Sequence, residues 1–197
     1  MIMSFSRKSL LKKMLPIPIL LLALTGCGGL EVDNTYIGDT EVSAYAKAPG
    51  EWATGTIQEN PLFSLRSFTE PGLEVKDIMK PTDKLTGLIG RRAPNAEEPI
   101  PLDDLGRNLV FSDVNAAVES GEIDILSGPI EFSLDGRIAN VMLYTVTADG
   151  GVTKVKQVWA IDPERGQAYG LAVGCSVECF DSKEEIVNTI IESFVVN

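Results

Sequence analysis

Apolar and polar positions alternate most cleanly in the second half of the chain, and that alternation predicts strands. Ile123 and Ile125 are interleaved with acidic residues, and Ile130-Glu131-Phe132-Ser133-Leu134 alternates without error after the interruption at Ser127-Gly128-Pro129. Asp135-Gly136 is a hairpin-turn dipeptide. Arg137 to Thr147 then reads as a long, largely apolar strand, and Ala148-Asp149-Gly150-Gly151 as a second turn. Val152 to Ile161 reads as another strand, with Lys154 and Lys156 on a solvated side. A third turn at Asp162-Pro163-Glu164-Arg165-Gly166 leads into Gln167 to Cys175. There Tyr169, Leu171 and Val173 alternate with Ala168, Gly170, Ala172 and Gly174, so one face is nearly bare and suits a closely packed helix better than a ligand.

The spacing changes to three and four on either side of this meander. Leu102, Leu105 and Leu109, continued by Val114, Ala117 and Val118, predict a helix over 102–120, with Gly106 and Ser112-Asp113 as points where it would divide in two. Ile186, Val187, Ile190, Ile191 and Phe194 form one apolar stripe, and Ser182-Lys183-Glu184-Glu185 matches a capping box at its start. A helix with one apolar side has to cover a sheet. Residues 51–100 hold only short apolar pieces, among them Phe63 to Phe68 and Leu85 to Gly90. Leu73 to Lys80 reads as a strand or a short helix, and Arg91 to Pro101 as a proline-bounded loop. Gly28 to Gly50 has weak periodicity and reads as a tether that becomes ordered, with Thr35-Tyr36-Ile37 adding a short strand or a contact.

The front of the chain carries a different pattern. Arg7, Lys8, Lys12 and Lys13 precede the apolar run Met14 to Leu24, and small residues close it, which is the layout of an export signal. A membrane span needs roughly 20 apolar residues, and this run is shorter and holds Pro16 and Pro18. The ending Leu24-Thr25-Gly26-Cys27 resembles the lipobox of bacterial lipoproteins. The resemblance implies cleavage before Cys27, a diacylglyceryl group on its thiol, and an anchor on the extracytoplasmic face of the cell membrane. The domains expected are therefore a signal peptide at 1–26, the lipidated cysteine and tether at 27–50, and a single α+β domain at 51–197.

Charge and cysteines narrow the picture further. Loss of residues 1–26 leaves 171 residues with 13 basic and 28 acidic side chains, a net charge of −15. That balance disfavours nucleic acid and polybasic membrane docking. Its everyday meaning is solubility, and the lipid on Cys27 has to supply the membrane affinity. Cys175 and Cys179 are the other two cysteines. An exported protein meets oxidising conditions, which favours a bridge between them over two free thiols. In an extended strand their Cα atoms would stand ~13 Å apart, so a bridge requires the strand to end near Cys175.

Candidate chemistry is sparse. The chain has no histidine, which removes Ser-His and Cys-His catalysis. There is no phosphate-binding loop or nucleophile elbow, and a lone cysteine pair without histidine supports no metal site and no cofactor. Asp103-Asp104 and Glu184-Glu185 are adjacent acids that suit helix starts better than catalysis. Arg91-Arg92 reads as a solvated turn rather than an anion site.

With helix, meander and covering helix in place, the chain resembles the PsbP-like superfamily, which also holds the LpqN-type lipoproteins of actinobacteria. The resemblance rests on Gly136-Arg137-Ile138-Ala139 leading to Tyr144, on Val158-Trp159-Ala160-Ile161, on Ala168-Tyr169-Gly170-Leu171 and on Ile191-Glu192-Ser193-Phe194. Thr35-Tyr36-Ile37-Gly38-Asp39 resembles the opening of the LpqN type. It implies an antiparallel sheet sandwiched by helices, with a cystatin-like or NTF2-like helix-on-sheet fold as the alternative. It also implies a protein that binds or scaffolds without catalysis; the expected partner is an envelope ligand or protein, and the expected state a monomer. A histidine-free hydrolase using carboxylates is the competing function.

Overall fold

A computed structural model describes residues 33–73, 80–95, 100–111, 113–148 and 150–197. The signal at 1–26, Cys27 and most of the segment read as strand or helix at 73–80 lie outside the described residues.

The alternating segments form one antiparallel sheet. Its strands are β3 (Ala53–Asn60), β4 (Phe63–Thr69), β5 (Thr86–Arg92), β6 (Ile123–Leu134), β7 (Arg137–Ala148), β8 (Gly151–Asp162) and β9 (Gln167–Ser176). Their order is β3-β4-β5-β9-β8-β7-β6, so β3 and β6 are the edges. The turn between β6 and β7 is a two-residue one, with Asp135 and Gly136 both at positive φ (50° and 80°), as an Asp-Gly hairpin requires. The Ser127-Gly128-Pro129 interruption does not end the strand. β6 continues through it with register shifts at Ile125/Ser127 and Ser127/Ile130.

The segment read as tether to residue 50 is folded from Asn34 onward. β1 (Asn34–Asp39) and β2 (Ala44–Pro49) pair with each other, and β10 (Val195–Val196) adds to β2, making a second sheet of three strands. The inward positions of β2 are Ala44, Ala46 and Ala48, all fully buried. A row of alanines packs tightly but gives a weak apolar signal, which is why the stretch reads as tether. Residues 34–39 and 44–49 are therefore strands rather than tether.

Each face of the large sheet has its own core. Phe68, Ile89, Val158, Leu171 and Val173 lie on one face under the small sheet, α3 (Val177–Ser182) and α4 (Glu184–Glu192). Leu65, Tyr144, Val155, Trp159 and Ala172 lie on the other, under α1 (Leu102–Arg107) and α2 (Val114–Glu119). Helix cover on both faces is the α+β sandwich and not the helix-on-one-face alternative. The 102–120 helix does divide, and Asp113 caps α2 by accepting from the Ala116 amide at 3.0 Å.

The bare face of β9 takes a close neighbour. A Cβ on Gly170 would meet Leu109 Cδ2 at 2.8 Å, and one on Gly106 would meet Trp159 Cδ1 at 2.5 Å. Small residues on both elements let α1 and the turn after it lie directly on the sheet. Beneath them Tyr144 donates to Gln157 Oε1 at 2.9 Å, and Gln157 donates to the carbonyls of Gly106 and Arg107 at 3.0 Å. Burial pushes the Tyr144 hydroxyl up, which keeps it protonated as a donor.

Two local expectations are corrected. Ser182 belongs to α3 and donates to the Cys179 carbonyl, while α4 starts after Lys183 without a side-chain cap. The side-chain cap sits one helix earlier, where Ser176 accepts from the Cys179 amide at 3.3 Å. Lys154 and Lys156 are not on a solvated side either. They lie under α3 and α4, bonded to Asp181 at 2.7 Å and Asn188 at 2.6 Å.

Cys175 and Cys179 are disulfide-bonded across the end of β9 and the first turn of α3, with Cα atoms 5.9 Å apart. Both are buried. Closing so short a loop restricts the unfolded chain by roughly 2 kcal/mol in the chain-entropy account. Replacing both by alanine is expected to lower the melting temperature by about 5 °C. Superimposable melts would show that the bridge adds nothing to two packed side chains.

Candidate functional site

The cover on the first face stops short of the β6 edge. Directly paired residues in an antiparallel ladder share a face, so two apolar rungs run out to that edge. One is Leu171–Val158–Val141–Ile130, the other Tyr169–Ala160–Ala139–Phe132. Leu171, Val158, Tyr169, Ala160 and Ala139 are buried and Val141 is half-buried, yet Ile130 is 56% and Phe132 39% exposed. Between this uncovered strip and the end of α4 lies a groove of about 230 Å³. Phe132, Leu134, Val141 and Val158 form its floor, and Ile191, Phe194 and the exposed Glu192 its wall. The amphipathic stripe of α4 supplies Ile191, and Phe194 follows in the turn that leads to β10.

The opposite face near the same edge is acidic. There the rung is Trp159–Asn140–Glu131. Trp159 and Asn140 both donate to Asp103 Oδ1, at 2.8 Å and 3.3 Å. Asp103 at the start of α1 and the exposed Glu131 therefore flank one side of the strip, and Glu192 the other.

Two further cavities carry charged side chains. One of about 370 Å³ is lined by Asp135, Arg137, Asp162 and Glu164, the only cavity of the three with several carboxylates. Asp162 accepts from Arg137 Nε at 3.0 Å and from the Arg165 amide at 3.1 Å. Burial raises its carboxyl, but the Arg165 amide and the Arg137 guanidinium outweigh that and hold it below the ordinary value. A glycosidase-type general acid needs the opposite shift. The other cavity, about 230 Å³, is lined by Gly38, Asp39, Thr54 to Thr56 and Arg66. The buried Arg66 is spent on Asp39 at 2.7 Å and Glu59 at 2.9 Å, tying the small sheet to the large one. Burial raises Asp39, and the Val42 amide and Arg66 more than reverse it. Both clusters fasten strand ends together.

The residues singled out in the sequence scatter. Asp103-Asp104 start α1 and Glu184-Glu185 start α4, separate acidic first turns that the structure does not bring to one cavity. Arg91-Arg92 are not a solvated turn: they end β5. Arg92 donates to the Asn108 carbonyl at 2.6 Å and stacks 5.3 Å over Phe63, and burial lowers its pKa. Among the described residues no cluster of histidine, cysteine, aspartate and glutamate could hold a metal ion. The groove was not foreseen. Its signal was Pro129 inside an otherwise good strand, since a residue without an N–H is tolerated at a sheet edge.

A seven-stranded antiparallel sheet with helices on both faces defines an α+β fold. No family model and no curated protein matches the chain. The fold is similar to that of cyanobacterial PsbP (CyanoP) from Synechocystis, with 15% identity, 88% of this chain and 99% of that chain covered, and a TM-score of 0.53. It is also similar to a protein of unknown function and putative regulator from Pseudomonas aeruginosa, with 16% identity, 83% and 97% covered and a TM-score of 0.50. LpqN of Mycobacterium tuberculosis, described as involved in cell envelope biogenesis, gives 14% identity, 84% and 91% covered and a TM-score of 0.47.

Proposed function

We propose that the protein is an extracytoplasmic lipoprotein, anchored to the bacterial cell membrane through Cys27, which acts as a non-catalytic binding or accessory protein of the envelope. The observation that carries the binding role is the uncovered apolar strip and groove beside β6. A soluble domain does not usually leave large apolar side chains in a row unless something covers them. The buried ion pairs bind structural elements to one another, whereas Ile130 and Phe132 are exposed side by side next to a groove. The anchor rests on the residues before and at Cys27. A diacylglyceryl group holds firmly, at ~0.8 kcal/mol per buried methylene, where one chain would not. No helix among the described residues is long and apolar enough to cross a membrane.

Fractionation of cells expressing the full chain tests this. The wild type is expected with the membranes and in the detergent phase, and Cys27→Ser as precursor or in the soluble pool. Identical fractionation of the two would reject the anchor.

A further inference from the structure

The two edges of the large sheet differ. β3 is polar outside its bulge, with Thr54, Thr56, Gln58, Glu59 and Asn60. β6 carries Ile130 and Phe132 where its neighbours' rungs are apolar all the way inward. A sheet edge is a row of backbone donors and acceptors ready to pair with another strand. The bulges and the missing N–H of Pro129 spoil the middle of β6 for that purpose. The segment Ile130 to Leu134 pairs with Val141 to Arg137 without a shift, so its outer edge stays regular.

Resting on the binding role proposed above, we infer that Ile130 to Leu134 is a β-augmentation site for an extended segment of a partner protein, one that alternates apolar and basic residues. Added ~4.8 Å from β6, the partner strand places alternate side chains on opposite faces. Those opposite Ile130 and Phe132 extend the two apolar rungs next to the groove, and burial there favours aliphatic residues. The residue between them faces Glu131, with the Asp103 carboxylate further along the same face. Opposite charges across a strand pair stabilise it and like charges oppose it, so this position selects lysine or arginine. Glu192 on the groove rim and the net charge of −15 left after residues 1–26 are removed act in the same sense. A second copy of this chain is a poorer occupant, because antiparallel pairing centred on Glu131 sets two glutamates against each other.

The test uses the full chain in nonionic detergent with two fluorescent nonapeptides, one alternating valine and lysine and one alternating valine and glutamate. The valine–lysine peptide is expected to bind and to slow amide exchange at 130–134. Ile130→Lys is expected to weaken it at least tenfold, and Glu131→Lys to reverse the preference between the peptides. Both substitutions are at exposed positions, and thermal melts confirm that the variants fold. Binding by neither peptide, binding indifferent to both substitutions, or protection at β3 instead would overturn the inference. So would sedimentation showing a dimer that Ile130→Lys dissolves, which would make a second copy the occupant. Failure here with Cys27-dependent fractionation intact would refute the partner class and leave the anchor standing.

Discussion

Trp159→Ala is expected to destabilise the domain by roughly 3–5 kcal/mol. The indole is 1% exposed and sits between the sheet and α1, with its N–H on Asp103. The void left behind cannot close easily, because the helix residue above it is Gly106, which has no side chain to move in. On the order of 10 °C of melting temperature should be lost. A second substitution makes the mechanism visible. Gly106→Ala in an exposed helix would gain up to about 1 kcal/mol from helix propensity. Here its Cβ would lie 2.5 Å from Trp159 Cδ1 and 2.9 Å from Trp159 Cβ, so the wild-type background is expected to lose about 1–3 kcal/mol by overpacking. In the Trp159→Ala background the sign should reverse. Additive effects would mean that the helix does not rest on this ring.

Asp162→Ala is expected to cost roughly 3 kcal/mol near neutral pH, since it removes charge-assisted bonds and strands a partly buried guanidinium. Asp162 is 5% exposed at the end of β8, and Arg137, its partner, also donates to the Val196 carbonyl at 3.2 Å. The pair therefore secures the C-terminal strand to the meander. Because folding lowers this carboxyl, the unfolded chain binds its proton more readily. Its stabilising contribution is thus present above the ordinary aspartate range and disappears as pH falls through about 4 and below. Denaturation of wild type and variant at pH 7 and at pH 3 checks this. The gap between them should narrow at the lower pH, and a constant gap would assign the loss to packing instead.

The groove and the two predictions above share a cause in the order of the strands. The sequence shows that Ile130, Phe132 and Leu134 share a face, and Pro129 is its one hint of which strand has no neighbour; the pairing of Val141 with Val158 comes from the strand register. The same limit produced the error at Lys154 and Lys156. Their alternation with Val155 was visible, but α3 and α4, from much later in the chain, decide that their face is covered.

What the residues determined by themselves is periodic and local. Strand and helix type from 102 onward, the Asp135-Gly136 turn and the division of the helix before Val114 follow from side-chain spacing and backbone preference, which act over a few residues, and the lack of histidine chemistry follows from composition. The α+β class followed too, because one-sided elements need partners. Only the tertiary structure decided that residues 34–49 form a second sheet, that Ser182 ends one helix instead of capping the next, that Arg91-Arg92 close a strand, and that β6 is an edge with its apolar rungs uncovered. These depend on contacts between residues far apart in the chain, where burial is set by which distant segment arrives on top, and apart from Pro129 in β6 no local pattern points to them.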